Sequence, residues 1–402
     1  LDYSATGFSI LYEYGFFKQK LIEGNQIELP DMWMEHGEAW LNPRTDKAFT
    51  VRFGGNVKEN WNGDKCDIVY ENDQEVKALP YDLLISGSGT DSVNNLRLWK
   101  AVDTTTFNMS LISQGQYVRA MQETSNSEII SKVLYPSDDH DEGKLLRLSQ
   151  QYFLVSASLQ NIIADHLATY GSLNNFSDKV AIHINDTHPA LCIPELMRIL
   201  IDGYSYSWND AWRTVTRVVS YTNHTVLPEA LECWGVDIFK LKLPRLYSII
   251  SEINTRFCAD LWKCYPGDWD RISRMSIIAN GQVRMANLSV IGSHSVNGVS
   301  KLHSDILTET IFKDFYKMYV DNGFEKNFVY GPCHGTGMIE VEPAWMETSS
   351  NYTLQENMTF QIDTFISGDT FGCRWEKGIA VKENGFEMLS PEIPEVCPEL
   401  LF

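Results

Sequence analysis

Two stretches of this chain hold side chains suited to binding a polar ligand. The first runs Ile184-Asn185-Asp186-Thr187-His188-Pro189, and the second Ser220-Tyr221-Thr222-Asn223-His224-Thr225-Val226-Leu227-Pro228-Glu229. Asp186 offers carboxylate acceptors and Asn223 an amide. His188 and His224, when neutral, each both donate and accept a hydrogen bond. The same residue types also serve structure: Asp186 or Thr187 can cap a helix, and a histidine can sit buried and satisfied. Spacing alone leaves both readings open.

Either reading needs a strand that breaks into a turn. Residues 180–184 are apolar and suit a strand, with Pro189 placed to open the next helix. The pattern repeats with a strand at 218–221, a polar turn, and Pro228 opening a helix. In an open α/β sheet the loops at the carboxyl ends of strands form the ligand crevice. Asp186, His188 and His224 are therefore expected to converge there, with Val299 at the wall. The rest of the chain is read in the same way. Residues 1–90 look strand-rich, although Pro80 breaks the apolar run 77–85. Residues 115–170 look helical: Tyr117, Ala120 and Met121 share one face, and Tyr152, Val155, Leu159 and Ile162 another. Residues 179–300 alternate strand and helix, which argues for a parallel sheet covered on both faces. Residues 288–291 read as a short buried strand and 299–316 as a helix.

Composition bounds the function. The chain has 402 residues, 44% hydrophobic and 21% charged, as in globular proteins that bury a sizeable core. A net charge of −20 argues against a nucleic-acid surface and against an anionic membrane. The eight cysteines show no zinc spacing, and no apolar run is long enough to span a bilayer. A reduced, cytoplasmic setting is expected. From residue 318 on, acidic residues outnumber basic ones 14 to 4, a shift that marks a boundary.

The two loops, with Cys192-Ile193-Pro194-Glu195-Leu196-Met197-Arg198, resemble motifs of the α-glucan phosphorylases. So do Tyr12-Glu13-Tyr14-Gly15, Leu96-Arg97-Leu98-Trp99, Glu142-Gly143-Lys144 and Gly292-Ser293-His294-Ser295-Val296-Asn297-Gly298-Val299, in the family's order. The resemblance covers residues 1–317. It implies an α/β fold: an incomplete Rossmann-like half of a two-domain glycosyltransferase. It also implies a retaining, phosphate-dependent release of glucose 1-phosphate from an α-1,4-glucan. By that likeness His224 lies beside the glucosyl 6-hydroxyl with Thr225 next to it. Asp186 and His188 line the pocket, Val299 touches the sugar, and Asp138 falls in a mobile gating loop. Asp139 and His140 depart from the muscle enzyme's residues there. Ala164-Asp165 stands where nucleotide-activated members carry an Arg pair, so allosteric regulation by a nucleotide is not expected. Family members bind pyridoxal phosphate through a lysine of a second domain and are commonly homodimers. No lysine here lies in that motif. The chain is therefore expected not to bind the cofactor and to be inactive as it stands.

Residues 318–402 resemble a different family, the pita-bread metallopeptidases, through Gly331-Pro332-Cys333-His334-Gly335-Thr336-Gly337 and the stretches around Asp363 and Glu376. The likeness implies a partial, mainly antiparallel β segment joined to the first at about 315–320. His334, Asp363 and Glu376 match three of that family's metal ligands, but Val341 replaces a histidine and the early aspartates are missing, so a bound metal is not expected. A remnant metallopeptidase and a non-catalytic glucan-binding module are the alternative functions.

Overall fold

The computed structural model describes residues 4–34, 39–62, 65–104, 109–118 and 127–321, together with four strands further on. The chain divides into two units, Leu1–Val219 with Glu232–Gly292, and Ser220–Leu231 with Ser293–Phe402.

The first unit opens with a β-sheet. Strand β1 (Thr6–Ile10) runs parallel to β4 (Val93–Asp103), which pairs antiparallel with β3 (Gln74–Ser86) along its whole length. The far edge of β3 receives β2 (Phe49–Phe53) and the short strand Asn42–Pro43. In β2, Val51 and Phe53 are buried while Thr50 and Arg52 face out, the alternation of a sheet covered on one side. Pro80 does not break the run as expected: β3 is continuous. Pro80 falls between the two partners on that edge, β2 reaching Ala78 and Pro43 pairing with Tyr81. Its carbonyl accepts the Arg44 N–H at 2.8 Å, and its own missing N–H removes no ladder bond.

Helix α1 (Asp141–Tyr170) covers this sheet. Its first turn carries Asp141 and Glu142, which favour the positive helix end. It stops at Gly171, in the left-handed region at φ 71°, whose N–H bonds Leu167 O at 2.8 Å. Leu148, Tyr152, Val155, Leu159 and Ile163 form its buried stripe. Tyr152 meets Phe53 edge-on with centroids 5.4 Å apart, and Trp99 Nε1 donates to Ser158 Oγ at 3.0 Å. Ala120 and Met121, part of the other expected helical face, lie outside the described residues.

Strand β5 (Ile182–Asn185) leads to α2 (Cys192–Arg198), which continues as a π turn, Ile199–Gly203. Pro189 is not the first helical residue. Asp186 is left-handed at φ 55°, and the chain first closes two turns, Ala190 N to Thr187 O and Cys192 N to Pro189 O. Neither Asp186 nor Thr187 caps the helix, whose N-cap is Leu191 without a side-chain bond. Helix α3 (Trp208–Val218) does have such a cap, Ser207 accepting from the Asp210 N–H at 3.1 Å. Pro228 opens only a 3-10 turn, Pro228–Ala230. Helix α4 (Pro244–Cys264) follows, then a small antiparallel sheet in which Gln282–Arg284 pairs with Cys233–Gly235 and with Ile278–Ala279. The expected strand at 288–291 is helical, within α5 (Met285–Gly292). Met285 to Val290 are all buried, so no polar face reveals the helical period in the sequence. A Cβ at Gly292 would lie 2.5 Å from Ile193, which is how closely α5 and α2 pack.

In the second unit, β6 (Val219–Asn223, its residues from Ser220 on) pairs parallel with β7 (Ser295–Gly298). The expected helix at 299–316 begins later and is interrupted: α6 (Lys301–Ile306), a π turn at Leu307–Ile311, then α7 (Lys313–Asp321). Beyond it, Cys333–Gly335, Thr359–Gly368, Phe371–Lys382 and Gly385–Met388 form an antiparallel sheet in that order.

Candidate functional site

The candidate residues fall in both units, and each group has its own support. In the first unit, Asp186 and His188 sit on the turn after β5. Glu232 ties that turn to α1: Thr187 Oγ1 donates to it at 2.9 Å and Gln151 Nε2 at 2.6 Å. The His188 ring stands edge-on to Tyr135, centroids 6.3 Å apart. Tyr135 is itself left-handed at φ 50° and meets Phe16 edge-on at 6.2 Å. Asp138 lies in the loop ahead of α1 and is half exposed, its carboxylate bonded by Arg147 of that helix. Gly143 allows the loop to lie against the helix, since a Cβ there would fall 1.6 Å from Ser137 O. Burial pushes the neighbouring Tyr12 hydroxyl up to about 12, Tyr135 adding to the shift and Arg147 opposing it.

In the second unit, His224 and Thr225 follow β6, and Val299 follows β7, whose last residues pair as Asn223 with Gly298. Asn223 is fully buried and holds both ends. Its Oδ1 accepts the Thr225 N–H at 2.9 Å, and its Nδ2 donates to Tyr221 Oη at 2.8 Å. His303 completes the arrangement. Its Nδ1 accepts the Val299 N–H at 3.3 Å, so the ring hydrogen sits on Nε2 and is directed to Asn223 Oδ1 at 3.0 Å. Ser300 caps α6 by accepting the His303 N–H at 3.2 Å, and Gly298 N–H donates to Ser304 Oγ at 3.0 Å. A Cβ at Gly298 would come within 2.9 Å of the His303 ring, so only glycine fits this contact. His303 was not among the residues singled out from sequence. Its one local signal is the Ser-x-x-His run at the start of α6, which reads only as a cap.

Asp165 takes part in an ion pair: Lys47 Nζ lies 2.7 Å from its carboxylate, and Asn161 Nδ2 donates to it at 3.0 Å. Nearby, Arg97 and Asp82 form a buried two-bond pair at 2.7 Å, with Arg97 also donating to Asn161. In the tail, the strand register sets Asp363 opposite Glu376, and His334 opposite Gln361. Among the described residues no cluster of three metal-binding side chains occurs, and no helix is long and apolar enough to cross a membrane.

Comparison with known proteins adds to this geometry. The family described as Carbohydrate phosphorylase matches residues 1–327, about ten residues past the expected boundary. A glycogen phosphorylase of Bacillus subtilis (strain 168) is 46% identical over 343 residues, 85% of this chain and 42% of the relative. That of Haemophilus influenzae is 46% identical over 322 residues, covering 79% and 39%. The brain form of glycogen phosphorylase from Rattus norvegicus is 44% identical over 329 residues, covering 79% and 39%. The chain thus spans about two fifths of the length of these relatives. They lend no support to a pita-bread origin for the tail.

Proposed function

This chain belongs to the carbohydrate phosphorylase family, and from that premise we propose that it is the glucan-handling part of a retaining α-1,4-glucan phosphorylase. The observation that carries the reading is the paired strand ends of β6 and β7. There Asn223 and His303 fix the backbone of Thr225 and Val299, and in the chain His224 stands between Asn223 and Thr225. Rigid loop ends of this kind suit hydroxyl recognition, because a sugar must have its hydroxyls paired to offset their desolvation. A neutral imidazole at His224 can donate to and accept from one hydroxyl, and Thr225 adds a second small polar group. Within the second unit Val299 offers an apolar contact for a sugar ring; in the first unit Asp138 and Asp186 offer carboxylate acceptors and His188 an imidazole.

The family's pyridoxal phosphate is bound through a lysine. The residues proposed here hold carboxylate, imidazole and hydroxyl groups but no amine, so they fit a sugar and do not fit that cofactor. The same reading carries α-1,4-glucan and glucose 1-phosphate as ligands and half of a Rossmann-like glycosyltransferase fold. It further carries a cytoplasmic setting and the homodimer common among intact members. A carboxylate-bearing Ala164-Asp165 site, paired with Lys47, supports the absence of nucleotide regulation there. For the tail, we read a pita-bread remnant, supported by its antiparallel pairing and the facing positions of Asp363 and Glu376. With that family's second histidine replaced by Val341 and both early aspartates missing, purified protein should carry no stoichiometric metal by elemental analysis.

Maltoheptaose retention in affinity electrophoresis tests the sugar reading. Replacing His224 with Ala should abolish retention, and replacing His334 with Ala should leave it unchanged. Equal retention by the His224 variant and the parent would refute the assignment.

A further inference from the structure

A cavity of about 170 Å³ opens in the first unit between β2, α1 and the residues leading into α4. It is far roomier than the about 10–15 Å³ that one water requires. The residues that line it include four cationic ones, Arg52, Arg198, Lys242 and Arg245, and no Asp or Glu. That is unexpected in a chain whose net charge is −20. Three of the cations have carboxylate partners set outside the lining. Arg52 pairs with Asp73 and Glu75 at 3.2 and 2.6 Å, Arg198 with Glu195 at 2.6 Å, and Arg245 with Asp202 at 2.6 Å.

Lys242 differs. Its ammonium lies over the Phe53 ring, 5.3 Å from the centroid, and among the described residues no carboxylate or other acceptor reaches it. Burial pushes it below the usual lysine range. A ring face recovers only part of the cost of desolvating an ammonium, about 0.5–2 kcal/mol. The remaining requirement is an anion with several acceptor oxygens, arriving from the cavity side.

We propose that this cavity binds a phosphoryl group, with Lys242 as its principal partner and Arg52 and Arg245 as flanking donors. A guanidinium has five N–H donors, so one already paired with a carboxylate keeps donors for a second anion. A tetrahedral group with oxygens on every side meets divergent donors better than a planar carboxylate does. Two sources share this chemistry, free inorganic phosphate and a phosphomonoester. None of Asp138, Asp186 and His188 lines the cavity, so the site is separate from the sugar residues of the same unit.

Calorimetric titration of the 402-residue chain at fixed ionic strength, with inorganic phosphate, glycerol phosphate and glycerol, tests the proposal. Phosphate or its ester should bind saturably, and glycerol should not. The tighter of the two anions identifies the source. Lys242→Met should weaken binding about tenfold or more, Lys242→Arg by less than about threefold, and Arg217→Ala, outside the lining and paired with Asp178 of the same unit, not at all. A second measurement uses the unmodified sequence, so no variant need fold: phosphate should protect Lys242 from acylation, read by mass spectrometry. No saturable binding, parent-like affinity of Lys242→Met, or no protection of Lys242 would each overturn the site. Loss at Lys242 should leave maltoheptaose retention intact, which separates this outcome from failure of the sugar reading.

Discussion

Asn223 concentrates the structural demand of the second unit in one amide. It satisfies the Thr225 N–H, the His303 ring and the Tyr221 hydroxyl at once, in a fully buried position. Asn223→Ala leaves a buried imidazole N–H without its acceptor, a loss of about 1–3 kcal/mol. Urea unfolding should show that loss, and glucan retention should fall with it because Thr225 is released. Asp82 makes a different prediction, about pH. Burial acts to raise its carboxyl pKa, but hydrogen bonds from Arg97 and Asn95 and the Arg97 charge outweigh it, so the pKa lies below the usual aspartate range. A folded-state pKa below the unfolded one stabilises the protein above the unfolded value of about 3.9. That contribution fades as pH falls through the folded value. The stability gap between the parent and Asp82→Asn should therefore be full at pH 7 and shrink below about pH 4. A gap constant from pH 7 to 3 would contradict this account of the pair.

At the scale of elements, α1 sets the position of the Asp138 loop. Gly143 is its contact point, and no side chain fits there without backbone movement, because the obstacle is the Ser137 carbonyl. Gly143→Ala has helix propensity in its favour, by about 0.8–1.0 kcal/mol. The clash works against it, and overpacking typically costs about 1–3 kcal/mol. Here the clash should win, since an ideal Cβ would sit inside bonding range of the oxygen. A lower melting temperature and greater proteolysis at 137–140 are the expected results. An unchanged or raised melting temperature would show that the loop yields freely.

For the whole molecule, the groups proposed to bind sugar include no amine, and this leads to a simple expectation about turnover. The 402-residue chain assayed alone should bind glucan but release no glucose 1-phosphate from maltoheptaose and phosphate. Binding without groups that act in the transition state lowers no barrier. Release above an enzyme-free control, increased by added pyridoxal phosphate, is the result that would disprove it. The phosphoryl cavity does not alter this expectation. An anion held at Lys242 stabilises the fold by mass action and adds no group to the sugar residues.

The sequence by itself determined the family, the strand-turn motifs at 184–189 and 220–229, and the buried stripe of α1 at Tyr152, Val155 and Leu159. These are local: a motif or a helical period lies within a few residues and needs no partner to be read. Tertiary structure decided the rest. In the helix Met285–Gly292 every residue from Met285 to Val290 is buried, so the outward polar residues that would betray its period are missing. Pro80 sits inside a continuous strand because its neighbours on that edge leave a gap, a property of pairing rather than of proline. Pro189 stands ahead of its helix because Asp186 turns left-handed and Thr187 spends its hydroxyl on Glu232, 45 residues away. His303 holds Asn223 from 80 residues away, and Lys242 meets Phe53 across the first unit. A hydrogen bond or a desolvated charge is set by what packs beside it, and neither partner's identity is carried by the residues next to it in the chain.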